Sequence, residues 1–97
     1  MKLTPKQKSY LRGKAHSLKP VIIIGNNGLS EAVLNEIEIA LAHHELLKVK
    51  IGAGERIARQ AIIDEICKTL GAEFVQTLGR IATIYRPAEK PVIVFPK

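Results

Sequence analysis

The sequence lacks the cysteine pairs of a disulfide-bonded protein and the long apolar runs of a membrane-spanning protein. The 97 residues include one cysteine and no tryptophan. Cys67 alone cannot form an internal disulfide, and its place on the apolar side of a predicted helix favours a buried structural thiol. No apolar stretch approaches the ~20 residues that span a bilayer, and the N-terminus, charged from Lys2, lacks the hydrophobic core of a signal peptide. We therefore expect a cytoplasmic protein.

Catalytic and metal-binding patterns are also missing from the sequence. His43 and His44 are adjacent, so on a helix they diverge by about 100° and cannot hold one metal ion together. No cysteine or histidine pair has the spacing of a zinc site. We expect no enzymatic activity, no metal and no cofactor. A base-stacking sheet needs paired aromatics on adjacent strands, and the chain has only Tyr10, Phe74, Tyr85 and Phe95. Nucleic-acid binding would then depend on backbone contacts and cations.

Acidic residues are absent from the first thirty positions. The net charge is +6, from 15 Lys+Arg and 9 Asp+Glu. Residues 31–97 hold all the acids and an equal number of bases, so the whole net charge lies in the segment that contains Lys2, Lys6, Lys8, Arg12, Lys14 and Lys19. A basic block of this kind favours a polyanionic partner. Lys8 and Arg12 are spaced i,i+4 on a predicted helix, and such a like-charge pair lowers helix stability by roughly 0.2–0.5 kcal/mol. Because the pair opposes stability, it favours a binding role.

The string Gly25-Asn26-Asn27-Gly28 stands where a strand turns into a helix. The apolar run 21–24 before it predicts a buried strand, and Ser30 after it is placed as a helix N-cap. Glycines in such a turn permit positive φ and close backbone approach. The first turn of the following helix has unpaired N–H groups and a partial positive charge, which suits a phosphate.

The remaining pattern predicts an α/β (α+β mixed) fold in the order α-β-α-β-α-β-β. Helices are expected over about 5–16, 31–44 and 55–70, and strands at 21–24, 46–51, 74–78 and 81–86. Alternating strands and helices imply parallel pairing, and the last two strands imply a hairpin, so the four-stranded sheet is mixed. The first strand is apolar on both faces, so we expect cover on both sides, with the first helix as the second layer.

Four further cations are candidates for a binding surface. Lys48 and Lys50 alternate with apolar residues and give the second strand one basic face. Arg56 and Arg59 lie in the first turn of the third helix, where cations oppose the helix dipole. In the second helix, inward positions are predicted at Val33, Leu34, Ile37, Ala40 and Leu41, and a seven-residue repeat of Glu31, Glu38 and Glu45 indicates the solvent side. In the third helix the predicted inward positions are Ala58, Ala61, Ile62, Ile66 and Leu70.

The length predicts one domain over 1–97, with a proline-containing tail at 86–97. Five runs of residues, spread over nearly the whole length, are characteristic in this order: 3–8, 18–21, 24–30, 42–50 and 84–87. Through these runs the chain resembles the bacterial YhbY family of stand-alone CRM domains (chloroplast RNA splicing and ribosome maturation). The resemblance implies a fold like the C-terminal domain of bacterial translation initiation factor three. It also implies an RNA-binding GxxG loop and association with ribosomal RNA in large-subunit precursors.

The residues and the resemblance together favour an RNA-binding protein without a membrane or small-molecule partner. The candidate RNA-binding residues are Gly25, Asn26, Asn27, Gly28, Lys8, Arg12, Lys19, Lys48, Lys50, Arg56 and Arg59. One alternative is a protein-interaction module that docks an acidic partner. Another is a small phosphate-handling enzyme, which would have only Glu31 as a general base near the turn. That carboxylate is also the main argument against a phosphate site there.

Overall fold

A computed structural model describes residues 2–52 and 54–96, which form three helices and one four-stranded mixed sheet. This architecture and element order confirm the predicted fold class. The helices are α1 (Pro5–Ala15), α2 (Glu31–His44) and α3 (Arg56–Leu70), and the strands are β1 (Pro20–Ile24), β2 (Leu46–Ile51), β3 (Glu73–Leu78) and β4 (Ile81–Tyr85).

The strands are ordered β1-β2-β4-β3 across the sheet. β1 pairs parallel with β2, whereas β4 pairs antiparallel with both β2 and β3. The carboxyl ends of β1 and β2 therefore lie at the same edge of the sheet as the β3–β4 turn. This topology brings three connections that are distant in sequence to one edge.

The helix boundaries follow from the capping residues that the sequence carries. Thr4 and Gln7 form a reciprocal capping box ahead of Pro5, as the Thr-Pro start predicts. Ser30 Oγ accepts the Val33 N–H at 3.2 Å and begins α2. Gly71, at φ 65°, ends α3 in the left-handed conformation that favours glycine.

Each face of the sheet has its own apolar cluster. On one face, α2 and α3 pack through Ile37, Leu41, Ile63 and Ile66 against the inward residues of all four strands. On the other face, Leu11 and Ala15 of α1 pack against Leu46, Val75 and Tyr85, and Ile93 and Phe95 of the tail join them. Helix α1 therefore covers only the half of this second sheet face that surrounds the start of β2.

The partial cover makes one prediction wrong. Val21 and Ile23 of β1 are exposed, whereas Ile22 and Ile24 are buried. The apolar run of β1 therefore has one dry face and one open face. The cause is the strand order, since β1 is an edge strand and α1 contacts β2 and β3 instead.

Two predictions about helix faces also need correction. Glu45 is 2% exposed and lies after the end of α2, so the seven-residue repeat does not mark solvent there. In α3 the predicted Ile66 is buried and Ile62 and Leu70 pack against the core, but Ala58 and Ala61 are exposed and Ile63 is buried instead. The larger Ile63 side chain sets the phase of this helix, because it buries more apolar area than an alanine.

Candidate nucleic-acid interface

The Gly25–Gly28 segment forms a tight turn directly after β1. The Gly28 N–H donates to the Gly25 carbonyl at 3.1 Å, so Asn26 and Asn27 occupy its two central positions, where both are exposed. Gly28 has φ 70° and needs the freedom of glycine. Gly25 has no such φ, and a Cβ built on it would meet nothing within 4 Å. Neither backbone strain nor internal packing therefore accounts for glycine at position 25.

Backbone hydrogen bonds tie this turn to two other connections. The Gly52 N–H donates to the Ile24 carbonyl at 2.7 Å, and the Ile51 N–H donates to the Arg80 carbonyl at 2.8 Å. The Gly25–Ser30 segment, Gly52 at the end of β2 and the Gly79-Arg80 turn consequently lie side by side. We call this part of the molecule the loop edge.

Two helices begin at the loop edge. The Ser30 cap leaves the N–H groups of Glu31 and Ala32 without a partner inside α2. In α3 the N-cap residue is Glu55, whose side chain makes no capping hydrogen bond. Both helix starts therefore present N–H groups and the positive end of the helix dipole to the same side of the molecule.

Cations outnumber carboxylates around the loop edge. Lys50, Arg56 and Arg80 are exposed, and Arg59 is half-buried. The Arg59 side chain donates to the Gly54 carbonyl at 2.8 Å, which ties Gly54 to the first turns of α3. The acids at this edge are Glu31 and Glu55, both exposed. The edge thus has a surplus of positive charge in addition to its helix dipoles.

Arg80 is a site residue that the sequence analysis did not include. The sequence predicted a hairpin between the last two strands, but nothing local showed where Arg80 in its turn would lie. Only the sheet topology places Arg80 at this edge, because an antiparallel β2–β4 pair must put the start of β4 beside the end of β2.

A groove of about 560 Å³ opens between α3 and the β3–β4 hairpin. Its lining includes Arg56, Arg59 and Gln60 from α3, and Phe74 and Thr77 from β3. Guanidinium groups beside a polar concave surface suit phosphate oxygens, because the planar fork of arginine donates two parallel hydrogen bonds.

The structure places the other predicted cations away from the loop edge. Lys8 and Arg12 are on α1, which packs over Leu46 and Tyr85 at the opposite end of β2. Lys19 precedes β1 at that same end and is exposed. Lys48 lies between the two groups, and its Nζ donates to the Leu18 carbonyl at 3.1 Å, so it braces the segment between α1 and β1. The eleven candidates therefore form two surfaces, of which the loop edge contains Gly25, Asn26, Asn27, Gly28, Lys50, Arg56 and Arg59.

The strongest polar contacts elsewhere hold the C-terminal segment. The Glu45 carboxylate accepts N–H donors from Ala88, Val92 and Ile93 at 2.7, 2.9 and 2.8 Å. Burial by itself raises the pKa of this carboxyl, but the three donors outweigh burial and leave the pKa below its ordinary value. Arg86 forms a bidentate ion pair with Glu38 and also donates to the Leu70 carbonyl at 3.0 Å. The hydrogen bond from Arg86, opposed by partial burial, lowers the pKa of Glu38.

Cys67 has the properties of a structural thiol. Burial, with a smaller contribution from Asp64 and Glu73, raises its pKa to about 11. The thiol is therefore protonated at neutral pH and is a poor nucleophile.

Within residues 2–52 and 54–96, no group of three or more His, Cys, Asp or Glu side chains could hold a metal ion. In the same part of the chain, every helix is too short or too polar to cross a bilayer.

Comparisons with known proteins give one consistent result. The model of the CRS1/YhbY (CRM) domain matches residues 3–86. An RNA-binding protein of Haemophilus influenzae is 50% identical over 95 residues, which cover 98% of this chain and 96% of the relative. A protein of Pseudomonas aeruginosa named as a probable RNA-binding protein is 46% identical over 91 residues, with 94% and 88% coverage. The solution structure of a hypothetical protein from Staphylococcus aureus superposes with a TM-score of 0.83 at 33% identity, covering 97% and 99% of the two chains.

Proposed function

Because the chain belongs to the CRS1/YhbY (CRM) domain family, we propose that it binds RNA and that the loop edge holds the RNA backbone. The observation that carries this proposal is the convergence of the GNNG turn, two helix starts and Lys50, Arg56, Arg59 and Arg80 at one edge of the sheet. Unpaired N–H groups at helix starts and arginine side chains both bind phosphate oxygens.

Gly25 supports a close backbone approach at this edge. A glycine with ordinary φ and open space around its missing Cβ gives the chain itself no benefit. A ligand backbone that lies against the turn gives a reason for it, because any side chain at this position would occupy that space.

We further propose that the bound RNA is ribosomal RNA within precursors of the large ribosomal subunit. The resemblance to the YhbY family supports this assignment. Cross-linking in cells, followed by sequencing of the attached RNA, tests it directly. Enrichment of large-subunit precursor RNA is expected, and an even spread over cellular RNA would contradict it.

Added negative charge at the turn tests the role of the loop edge. Asn26→Asp and Asn27→Asp keep a side chain that tolerates turn conformations, but they place a carboxylate beside the expected phosphate. Two like charges about 4 Å apart repel by roughly 1–4 kcal/mol near a protein surface, so RNA affinity should fall at least about fivefold per substitution. The double variant should lose more, and its thermal melt should match the parent.

The matched control is Asn35→Asp, which adds the same charge at an exposed position of α2. This variant should bind RNA nearly as well as the parent at equal salt. If all three substitutions weaken binding equally, only net charge matters and the turn has no special role. If the Asn26 and Asn27 variants bind like the parent, the RNA backbone does not lie at the turn.

The basic surface of α1 leaves room for a second kind of partner. Lys8 and Arg12 lie at the far end of the sheet and could dock an acidic protein while the loop edge binds RNA. Salt-sensitive binding of RNA without binding of an acidic peptide would support RNA binding, whereas binding of the peptide without binding of RNA would favour the protein-interaction alternative.

A further inference from the structure

The face of the sheet that α1 leaves open contains four residues in one row. Ile23 pairs with Lys50, Lys50 pairs with Ile81, and Ile81 pairs with Leu78, so these side chains stand in register across all four strands. Their strand neighbours Ile24, Ile51 and Ala82 are buried on the opposite face, which fixes the direction of the row. We call these four residues the sheet row.

The two ends of the sheet row are large exposed aliphatic side chains. Ile23 is 69% exposed and Leu78 is 67% exposed, while Ile81 between them is partly buried. Val21, 53% exposed, extends the apolar surface along β1. Single exposed apolar side chains are ordinary on a protein surface, but several that share one open sheet face form a candidate contact surface.

The surroundings of the sheet row are basic. Lys50 lies within it, and Arg80 directly precedes Ile81 at the loop edge. The next row, formed by Lys48, Thr83 and Gln76, contains no acidic side chain either. An apolar strip with an embedded cation and no carboxylate fits a ligand that is anionic and carries flat apolar groups.

We propose that the sheet row is a contact surface for unstacked bases of a single RNA strand whose backbone is held at the loop edge. This inference rests on the proposed function and adds the form of RNA that is bound. Four strands separated by about 4.8 Å give a row about 14 Å long, which has room for two or three bases. Because the row has no paired aromatics for base stacking, the bases would contact aliphatic side chains instead. A duplex hides its base faces, so this surface selects single-stranded or looped RNA.

Continuity with the loop edge favours RNA over an acidic protein as the occupant. The sheet row begins directly beneath the turn that is proposed to hold phosphates, because Ile23 is two residues before Gly25 and Ile81 follows Arg80. An RNA strand whose backbone is anchored at the loop edge would place its bases over this row without a second anchoring site.

The test compares intact RNA with RNA that lacks bases. The probes are a single-stranded RNA of about 12 nucleotides and the same backbone with consecutive abasic riboses. Ile23→Thr and Leu78→Thr keep residues that strands tolerate but remove apolar contact area. Ile39→Thr on α2 is the control, because Ile39 is 53% exposed on a helix that packs against the opposite face of the sheet.

The row variants should bind intact RNA about threefold to tenfold more weakly than the parent, since each buried methylene contributes about fourfold in affinity. They should bind abasic RNA as the parent does, with an unchanged salt dependence. Ile39→Thr should match the parent on both probes. Equal affinity of the row variants for intact RNA would overturn the proposal and leave a protein partner as the occupant of the row. An equal loss on both probes would overturn base contact as well.

Methyl NMR gives a second readout that does not depend on variants. The methyl signals of Ile23, Leu78 and Ile81 should shift when intact RNA is added, and those of Ile39 should not. Unshifted row methyls overturn the proposal. Failure of this inference can be told apart from failure of RNA binding, because Asn26→Asp tests the loop edge with the same probe and does not involve the row.

Discussion

Gly25 and Gly28 illustrate how two identical residues in one turn can have different causes. At Gly28 the backbone requires glycine, because φ is 70°. At Gly25 the backbone is ordinary and the space is open. The sequence predicted a permissive turn but treated both glycines alike, since local patterns do not show which one adopts positive φ.

Alanine substitutions separate these causes. Gly28→Ala should destabilise the fold by about 1–2 kcal/mol, because an L-residue is strained in the left-handed region. Gly25→Ala should leave the free energy of unfolding unchanged or raise it by up to about 1 kcal/mol, since it restricts only the unfolded chain. RNA affinity should nevertheless fall in Gly25→Ala. Denaturant unfolding and RNA titration check both, and an unimpaired Gly25→Ala protein would argue against close backbone approach.

Glu45 is the residue whose role the sequence concealed most completely. Its spacing from Glu31 and Glu38 suggested solvent, yet it occupies φ 61° and accepts three backbone N–H groups from a segment more than forty residues away. No local signal identifies such a pairing, because its partners are backbone groups of the tail.

Replacing Glu45 by glutamine should release the tail. The amide retains one acceptor oxygen, but its NH₂ group opposes the N–H donors, so we expect a loss of about 1–3 kcal/mol in stability. Faster proteolysis within residues 88–96 is the measurement, with Glu89→Gln as the control because Glu89 is exposed in the same segment. Equal cleavage of both variants would contradict the anchoring role.

At the scale of elements, the sequence predicted most of what capping and periodicity determine. All seven elements exist where expected, and the Thr4-Pro5 start, the Ser30 cap and the Gly71 stop are in place. The strand order, the open face of β1 and the exposure of Ala58 and Ala61 in α3 did not follow, because they depend on which elements meet across the sheet. The site was affected in the same way, since the basic N-terminal block ends at the turn in sequence but packs at the far end in space.

The attachment of the tail should be sensitive to acid, because it depends on the single carboxylate of Glu45. The pKa of Glu45 is lower in the folded protein than its ordinary value of 4.5. The stabilisation is therefore fully present above that value and is lost as pH falls through the lower, folded pKa. Amide NMR signals of Ala88, Val92 and Ile93 should shift and exchange faster there, before the core unfolds. The Glu45→Gln protein should show no such step, and a step that persists in it would implicate Glu38 and Arg86 instead.

At the scale of the whole molecule, net charge and binding surface do not coincide. The segment that holds the entire +6 lies mainly over the start of β2, whereas the loop edge takes its cations from the balanced remainder of the chain. Long-range attraction of RNA is a property of total charge, but tight contact depends on which cations neutralise phosphates. These two contributions differ in their dependence on salt.

The dependence of RNA affinity on salt should distinguish the two basic surfaces. Each phosphate neutralised adds about −0.7 to −0.9 to the slope of log affinity against log salt. If the loop edge makes the contacts, Arg56→Gln with Arg59→Gln should make the slope shallower by about 1.4–1.8 and weaken binding strongly.

Lys8→Gln with Arg12→Gln removes the same charge from α1 and serves as the matched control. This second pair should slow association at low salt while leaving the slope nearly unchanged, because it acts at a distance. A slope that becomes shallower only in the α1 pair would move the interface to α1, and equal changes in both pairs would mean that the RNA wraps from the loop edge to the far end of the sheet.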